Sequence, residues 1–171
     1  MKKLMPILAT TLLSAALSAQ AAPEAGDKSF SLSGTGSSDE SLDSNSFGVS
    51  GELGYYQSEH LLVGVRQSLN GSVGEDVSDA WNGATRGFVN MHFGQGDARP
   101  YVGANIGGLY GDGVNETGTA GVEAGVRWFV RDKTFIGFGA EYAFLFSDGD
   151  EVDDNFDDGA FLYTLGVGFN F

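Results

Sequence analysis

Acid–base and nucleophilic catalysis need a base within hydrogen-bond reach of the group it activates. The chain has two histidines and no cysteine. His60 sits beside Ser58 and Glu59 in a short polar stretch, and His92 is followed by Phe93 and Gly94. His60 has a serine and an acid nearby but lies in a short turn, and no serine follows His92. His60 therefore reads as a solvated turn residue and His92 as a hydrogen-bonded interior residue. Lack of cysteine excludes a disulfide framework and any thiolate metal site. The acidic stretch near the C-terminus invites a calcium reading, because Asp153, Asn155 and Asp157 have the spacing of the first ligands of an EF-hand loop. The match then fails. The sixth position is Asp158 and the twelfth is Thr164, where that loop requires glycine and a bidentate glutamate. Asp148, Asp150, Asp153, Asp154, Asp157 and Asp158 read instead as a solvated acidic run that holds divalent cations weakly, since clustered carboxylates repel and cations relieve the repulsion. No specific metal site and no cofactor is predicted.

A second set of charged residues is sparser and more regular: Glu52, Glu123 and Glu141, with Arg66, Arg86 and Arg127. What must position them is a backbone of period two. Reading back from the C-terminus, Phe171, Phe169, Val167, Leu165, Tyr163 and Phe161 alternate with Asn170, Gly168, Gly166 and Thr164. One apolar face and one small or polar face define a strand. The pattern recurs around Phe30–Leu32, Phe47–Tyr55, Leu61–Leu69, Val89–Phe93, Val102–Tyr110, Val122–Trp128 and Ile136–Phe144. Eight strands are predicted, most about 9 to 13 residues long and so able to cross a bilayer at a tilt. Long polar connections around 37–45, 70–83, 111–118 and 147–158 alternate with short ones around 57–60, 94–99 and 130–133. This is the wiring of an all-β, eight-stranded, antiparallel, up-and-down transmembrane barrel with both termini on the short-turn side.

The charges decide which face points where. All six residues of the regular set fall on the small, polar face. That face suits the interior of an eight-stranded barrel, which is just wide enough for side chains to fill. Equal numbers of buried acids and bases predict a closed ion-pair network, because an unpaired buried charge is expensive. A five-residue turn after Tyr56 would set Glu52 opposite Arg66. Of the 23 acidic residues, 15 lie in the four long connections, which hold no lysine or arginine; Lys28, Arg99, Arg131 and Lys133 lie at the short-turn end. Tyr55, Phe93, Trp128, Phe135, Phe169 and Phe171 fall near short turns, and Phe47, Tyr110, Phe144, Phe146 and Phe161 near long loops, which predicts two aromatic girdles.

The full chain carries 23 acidic against 9 basic residues, a formal charge of -14, which argues against nucleic-acid binding. Lys2 and Lys3, an uncharged stretch from Leu4 to Leu17 and Ala19-Gln20-Ala21 read as a secretory signal peptide over residues 1–21, leaving 22–171 as one barrel domain. Cleavage would leave seven basic and 23 acidic residues, about -16.

Three segments resemble a known family. The closing strand Phe161–Phe171, with its terminal phenylalanine, resembles the C-terminal signature of outer-membrane β-barrels. Arg99-Pro100-Tyr101-Val102-Gly103-Ala104-Asn105-Ile106-Gly107 resembles the fifth strand of small barrels of the OmpA transmembrane-domain and OmpX type, and Gly121–Arg127 is similar to their sixth. The resemblance spans nearly all of the chain after residue 21. It implies outer-membrane location in a Gram-negative bacterium after Sec-dependent export, contact with outer-membrane lipid and lipopolysaccharide, and a monomer. It also implies that Tyr163, Val167, Phe169 and Phe171 are read by the barrel-assembly machinery, with periplasmic chaperones assisting. No peptidoglycan-binding domain follows the barrel, so cell-wall anchoring is not carried over. The His-x-Ser pattern of lipid A deacylases is absent. The predicted role is structural or surface-interactive — envelope integrity, adhesion or divalent-cation binding — with a small-solute or ion channel as the rival and a lipid A-modifying enzyme behind it.

Overall fold

The computed structural model describes residues 23–38, 45–72, 81–111, 117–146 and 159–171. The segment read as a signal peptide lies outside them, as do the acidic residues of the four long connections, Asp148, Asp150, Asp153, Asp154, Asp157 and Asp158 among them.

Eight strands run in chain order: β1 (Lys28–Ser38), β2 (Asn45–Tyr56), β3 (Leu61–Ser72), β4 (Trp81–His92), β5 (Ala98–Gly111), β6 (Thr117–Arg131), β7 (Thr134–Phe146) and β8 (Ala160–Asn170). Each pairs antiparallel with the next, and β1 pairs with β8, which closes the barrel. The seam is completed past the strand ends, where Lys28 N–H donates to Phe171 O at 2.8 Å and Phe171 N–H donates to Lys28 O at 2.9 Å. Closure leaves no edge strand and no unpaired ladder group facing lipid.

Alternation turns apolar residues outward. Leu53, Val65, Ile106, Val122, Leu165 and Val167 are all more than half exposed, although they are the residues a water-soluble β-protein would bury. At a rise of ~3.3 Å per residue and a tilt of ~40°, an eleven-residue strand climbs about 28 Å, enough for an apolar band of ~25 Å. Tyr55, Phe93, Trp128, Phe169 and Phe171 form an exposed aromatic ring at the short-turn end, and Trp81, Tyr110 and Phe161 lie exposed toward the other.

Three expectations need correcting. The ladders continue into segments read as loops: β3 runs to Ser72, β4 starts at Trp81, and β6 reaches 15 residues. Polar composition marks where a strand leaves the apolar band, and backbone pairing does not depend on that boundary. Phe135 does not join the girdle; it is 2% exposed and points into the lumen. A register shift between Phe129 and Arg131 at the β6–β7 turn accompanies this, and the Phe129 and Phe135 rings meet at 5.4 Å inside. His92 is buried, but its ring nitrogens have no hydrogen-bond partner among the described residues; it is held between the rings of Tyr56 and Tyr101, at 5.8 and 5.3 Å.

Candidate functional site

The lumen gathers six charged side chains from five strands. Register does the first part of the work. Five residues separate Tyr56 from its partner Leu62, so Glu52 faces Arg66, and the next ladder sets Arg66 against Arg86. On the far wall, Glu123 faces Glu141. Glu52 and Arg66 thus pair along the wall, while the like-charged neighbours Arg66/Arg86 and Glu123/Glu141 are neutralised across the barrel.

Arg66 is the hub. Its Nε donates to Glu52 Oε1 at 2.6 Å, Nη1 lies 2.8 Å from Glu123 Oε2 and 3.0 Å from Glu141 Oε2, and Nη2 donates to Glu123 Oε1 at 3.1 Å. Arg86 Nη1 pairs with Glu141 Oε1 and donates to Asn105 Oδ1 at 3.4 Å. Arg127 Nη2 reaches Glu52 Oε2 at 3.5 Å, while its Nη1 donates to Ser29 Oγ at 3.1 Å and to the Tyr56 hydroxyl at 3.4 Å. Ser31 Oγ adds a hydrogen bond to Glu52 Oε2 at 3.0 Å. Three carboxylates and three guanidinium groups sum to zero. Three of the chain's glutamates and three of its arginines are therefore held at low exposure without net buried charge, the condition under which burial is tolerable.

The rest of the lumen is less ionic than the six charges suggest. Tyr56, Leu62 and Phe88 form a buried cluster, and Phe129 and Phe135 form a second. Phe88 lies 5.5 Å beneath the Arg66 guanidinium and Phe135 lies 4.6 Å beneath that of Arg127, so aromatic faces support the cations from the side their carboxylates leave open. Arg99 belongs inside too. It is 1% exposed, and Nη2 donates to Glu59 O at 3.2 Å and Gly94 O at 3.1 Å. Glycines make the room: a Cβ on Gly121 would meet the Glu141 carboxylate, and one on Gly125 would meet the Tyr101 ring. The lumen void lined by Ser31, Glu52, Tyr101 and Arg127 measures about 30 Å³, space for a water molecule or two.

The sequence reading missed these apolar lumen residues, and parity is the one signal that could have found them. Tyr56, Leu62, Phe88, Phe129 and Phe135 all occupy the phase of the small, polar face. An isolated apolar residue in that phase looks like noise until its neighbours across the barrel are known.

Tyr163, Val167, Phe169 and Phe171 all project outward from the last strand and its end, each roughly half exposed. Among the described residues, His60 Nδ1 and both ring nitrogens of His92 have no hydrogen-bond partner. Among the described residues, no group of three or more potential metal ligands converges.

Comparison with solved structures adds the remaining observation. The barrel superposes on the N-terminal β-barrel domain of Pseudomonas aeruginosa OprF with a TM-score of 0.58 at 19% identity, covering 87% of this chain and 100% of that one. Neisserial surface protein A gives a TM-score of 0.63 at 16% identity, covering 86% and 98%. The chain has the fold of the small outer-membrane β-barrels. The attachment invasion locus protein Ail of Yersinia pestis, in complex with the heparin analogue sucrose octasulfate, matches at a TM-score of 0.51 and 18% identity over 87% of this chain and all of that one. No protein-family model and no curated protein sequence matches.

Proposed function

We propose that this protein is a non-conducting, non-enzymatic barrel of a Gram-negative outer membrane. It is a rigid support that displays acidic surface loops for structural or adhesive contacts mediated by divalent cations. The observation that carries the reading is the neutral lumen network, with Arg66 in contact with all three glutamates. A wide water path would hydrate these ions and screen the pairs, whereas here aromatic rings and carboxylates occupy the cross-section. The outward apolar band and two aromatic rings support a membrane position. The signature of the last strand supports delivery by the barrel-assembly machinery.

Ail was solved with a polyanion bound. Carry-over of that ligand class is disfavoured here, because 15 of the 23 acids lie in the long connections, which hold no lysine or arginine to receive sulfates. The partners that fit are cations, and anionic surfaces such as lipopolysaccharide bridged by them.

Planar-bilayer recording tests the proposal. The folded barrel is expected to give no stable conductance of porin size. A steady open level that changes in Glu52→Gln or Arg66→Gln would establish the rival reading, a small-solute or ion channel.

A further inference from the structure

The outward face carries a polar feature that neither the girdles nor the lumen explains. Gln67 on β3, Thr85 on β4 and Tyr110 on β5 all project outward. Gln67 and Thr85 are direct partners, and Tyr110 lies against Gly83, one outward position further along β4. Their side chains close a ring of hydrogen bonds. Thr85 Oγ1 donates to Gln67 Oε1 at 2.7 Å, Gln67 Nε2 donates to the Tyr110 hydroxyl, and the Tyr110 hydroxyl lies 3.3 Å from Thr85 Oγ1. Threonine has one hydroxyl proton, and Gln67 takes it, so the Tyr110 proton closes the ring onto Thr85 Oγ1. The second amide proton of Gln67 goes to Ser68 O at 3.4 Å. Every donor on the three side chains is thereby used. What the triad still presents to lipid is lone pairs.

One outward row nearer the short turns, the partner row Val65, Gly87, Ile106, Ala120 and Phe144 contains an open depression of about 740 Å³. It exists because Gly87 lacks a side chain between Val65 and Ile106, while Ala104 and Ala120 stay short. A Cβ on Gly87 would have its nearest neighbours at 3.9 and 4.0 Å, so the space lies open to the outside. Its walls are hydrocarbon. Polar acceptors at the end nearer the long loops and an apolar trough beneath match one amphiphile standing in the leaflet on the loop side.

We infer that this face is a binding site for lipopolysaccharide, with one acyl chain in the Gly87 trough and an amide N–H or chain hydroxyl donating to the Gln67–Thr85–Tyr110 ring. The choice follows from the leftover chemistry. A phosphoglycerolipid has only ester carbonyls at its chain junction, and acceptors do not bond acceptors. Amide-linked hydroxyacyl chains carry N–H and O–H donors at that depth. The site is distinct from any cation bridge at the loops, because it is uncharged and lies on the outward barrel wall at the loop-side edge of the apolar band.

This inference rests on the outer-membrane reading, and membrane fractionation tests that reading separately. For the site, the folded barrel is loaded with short-core lipopolysaccharide and phosphatidylethanolamine in equal amounts, with EDTA present to remove cation bridges. Native mass spectrometry then counts the retained lipid. The wild type is expected to retain lipopolysaccharide in preference. Tyr110→Phe is expected to cut that preference by about three- to tenfold, the range of one net hydrogen bond. Gly87→Leu, which fills the trough where there is room for it, is expected to lower retention of both lipids. Heat-modifiable migration verifies that each variant is folded. Equal retention of the two lipids by the wild type, a mass of two chains in place of chain plus lipid, or retention unmoved by both variants would overturn the site. Fractionation away from the outer membrane would overturn the parent reading instead.

Discussion

Arg66 shows what a single residue can carry in this lumen. It contacts Glu52, Glu123 and Glu141, and its guanidinium sits over Phe88. Removing one partner of a buried ion network leaves uncompensated charge, which costs about 3–5 kcal/mol. Arg66→Met is therefore expected to lower stability by about that amount. Adding Glu52→Gln should restore part of it, because two arginines then face two glutamates. Urea unfolding in detergent micelles measures both; an Arg66→Met barrel as stable as wild type would show that the network contributes packing and no electrostatics. The six charged residues were legible because alternation assigns each a face and their signs cancel. Arg99 was not. At the start of β5 its parity points inward, yet its neighbours Asp97 and Pro100 suggest a solvated turn. Only the fold brings Glu59 and Gly94, from two different turns, to the same guanidinium.

Elements differ from residues in how clearly the sequence announces them. Strand number, order and facing follow from a period of two repeated eight times, reinforced by alternating loop lengths. Strand ends do not, since the ladder of β3 persists through Asn70, Gly71 and Ser72, whose side chains signal a loop. Turn cohesion is likewise tertiary. The β2–β3 and β4–β5 turns are sequence-distant, and Arg99 fastens them by donating to a carbonyl in each. Charged hydrogen bonds of this kind are worth about 1.5–3 kcal/mol each. Arg99→Leu should therefore speed hydrogen exchange by about ten- to hundredfold at amides bonded within the two turns. Gln57, which donates to Leu61 O at 2.8 Å, and Phe93, which donates to Pro100 O at 2.8 Å, are the reporters. Amides in the middle of β8 should keep their wild-type rate. Uniform acceleration around the barrel would mean that Arg99 supports global stability and not the junction of these turns.

Across the whole molecule, charge is sorted along the barrel axis. The connections on one end hold 15 acids and no lysine or arginine, the six-residue lumen network sums to zero, and the other end mixes both signs through Glu24, Asp27, Lys28, Glu59, Asp97, Arg99, Arg131, Asp132 and Lys133. On the proposed non-conducting reading, the neutral network separates the acidic end from the balanced one. At physiological salt, screening acts over about 8 Å, so an end rich in acids still repels an anionic surface at close approach. Divalent cations reverse the sign of that encounter and monovalent ones only weaken it. Liposomes bearing the folded barrel with its loops outward should therefore leave anionic vesicles free in sodium chloride, dock to them on addition of millimolar magnesium or calcium, and release them with EDTA. Barrels with Asp153, Asp154, Asp157 and Asp158 all changed to asparagine should dock less in magnesium and be repelled less without it. Light scattering follows both arms. Docking that persists in the chelator would assign surface contact to uncharged loop residues and remove the cation from the mechanism, while the lumen network and the lipid-facing triad would stand unaffected.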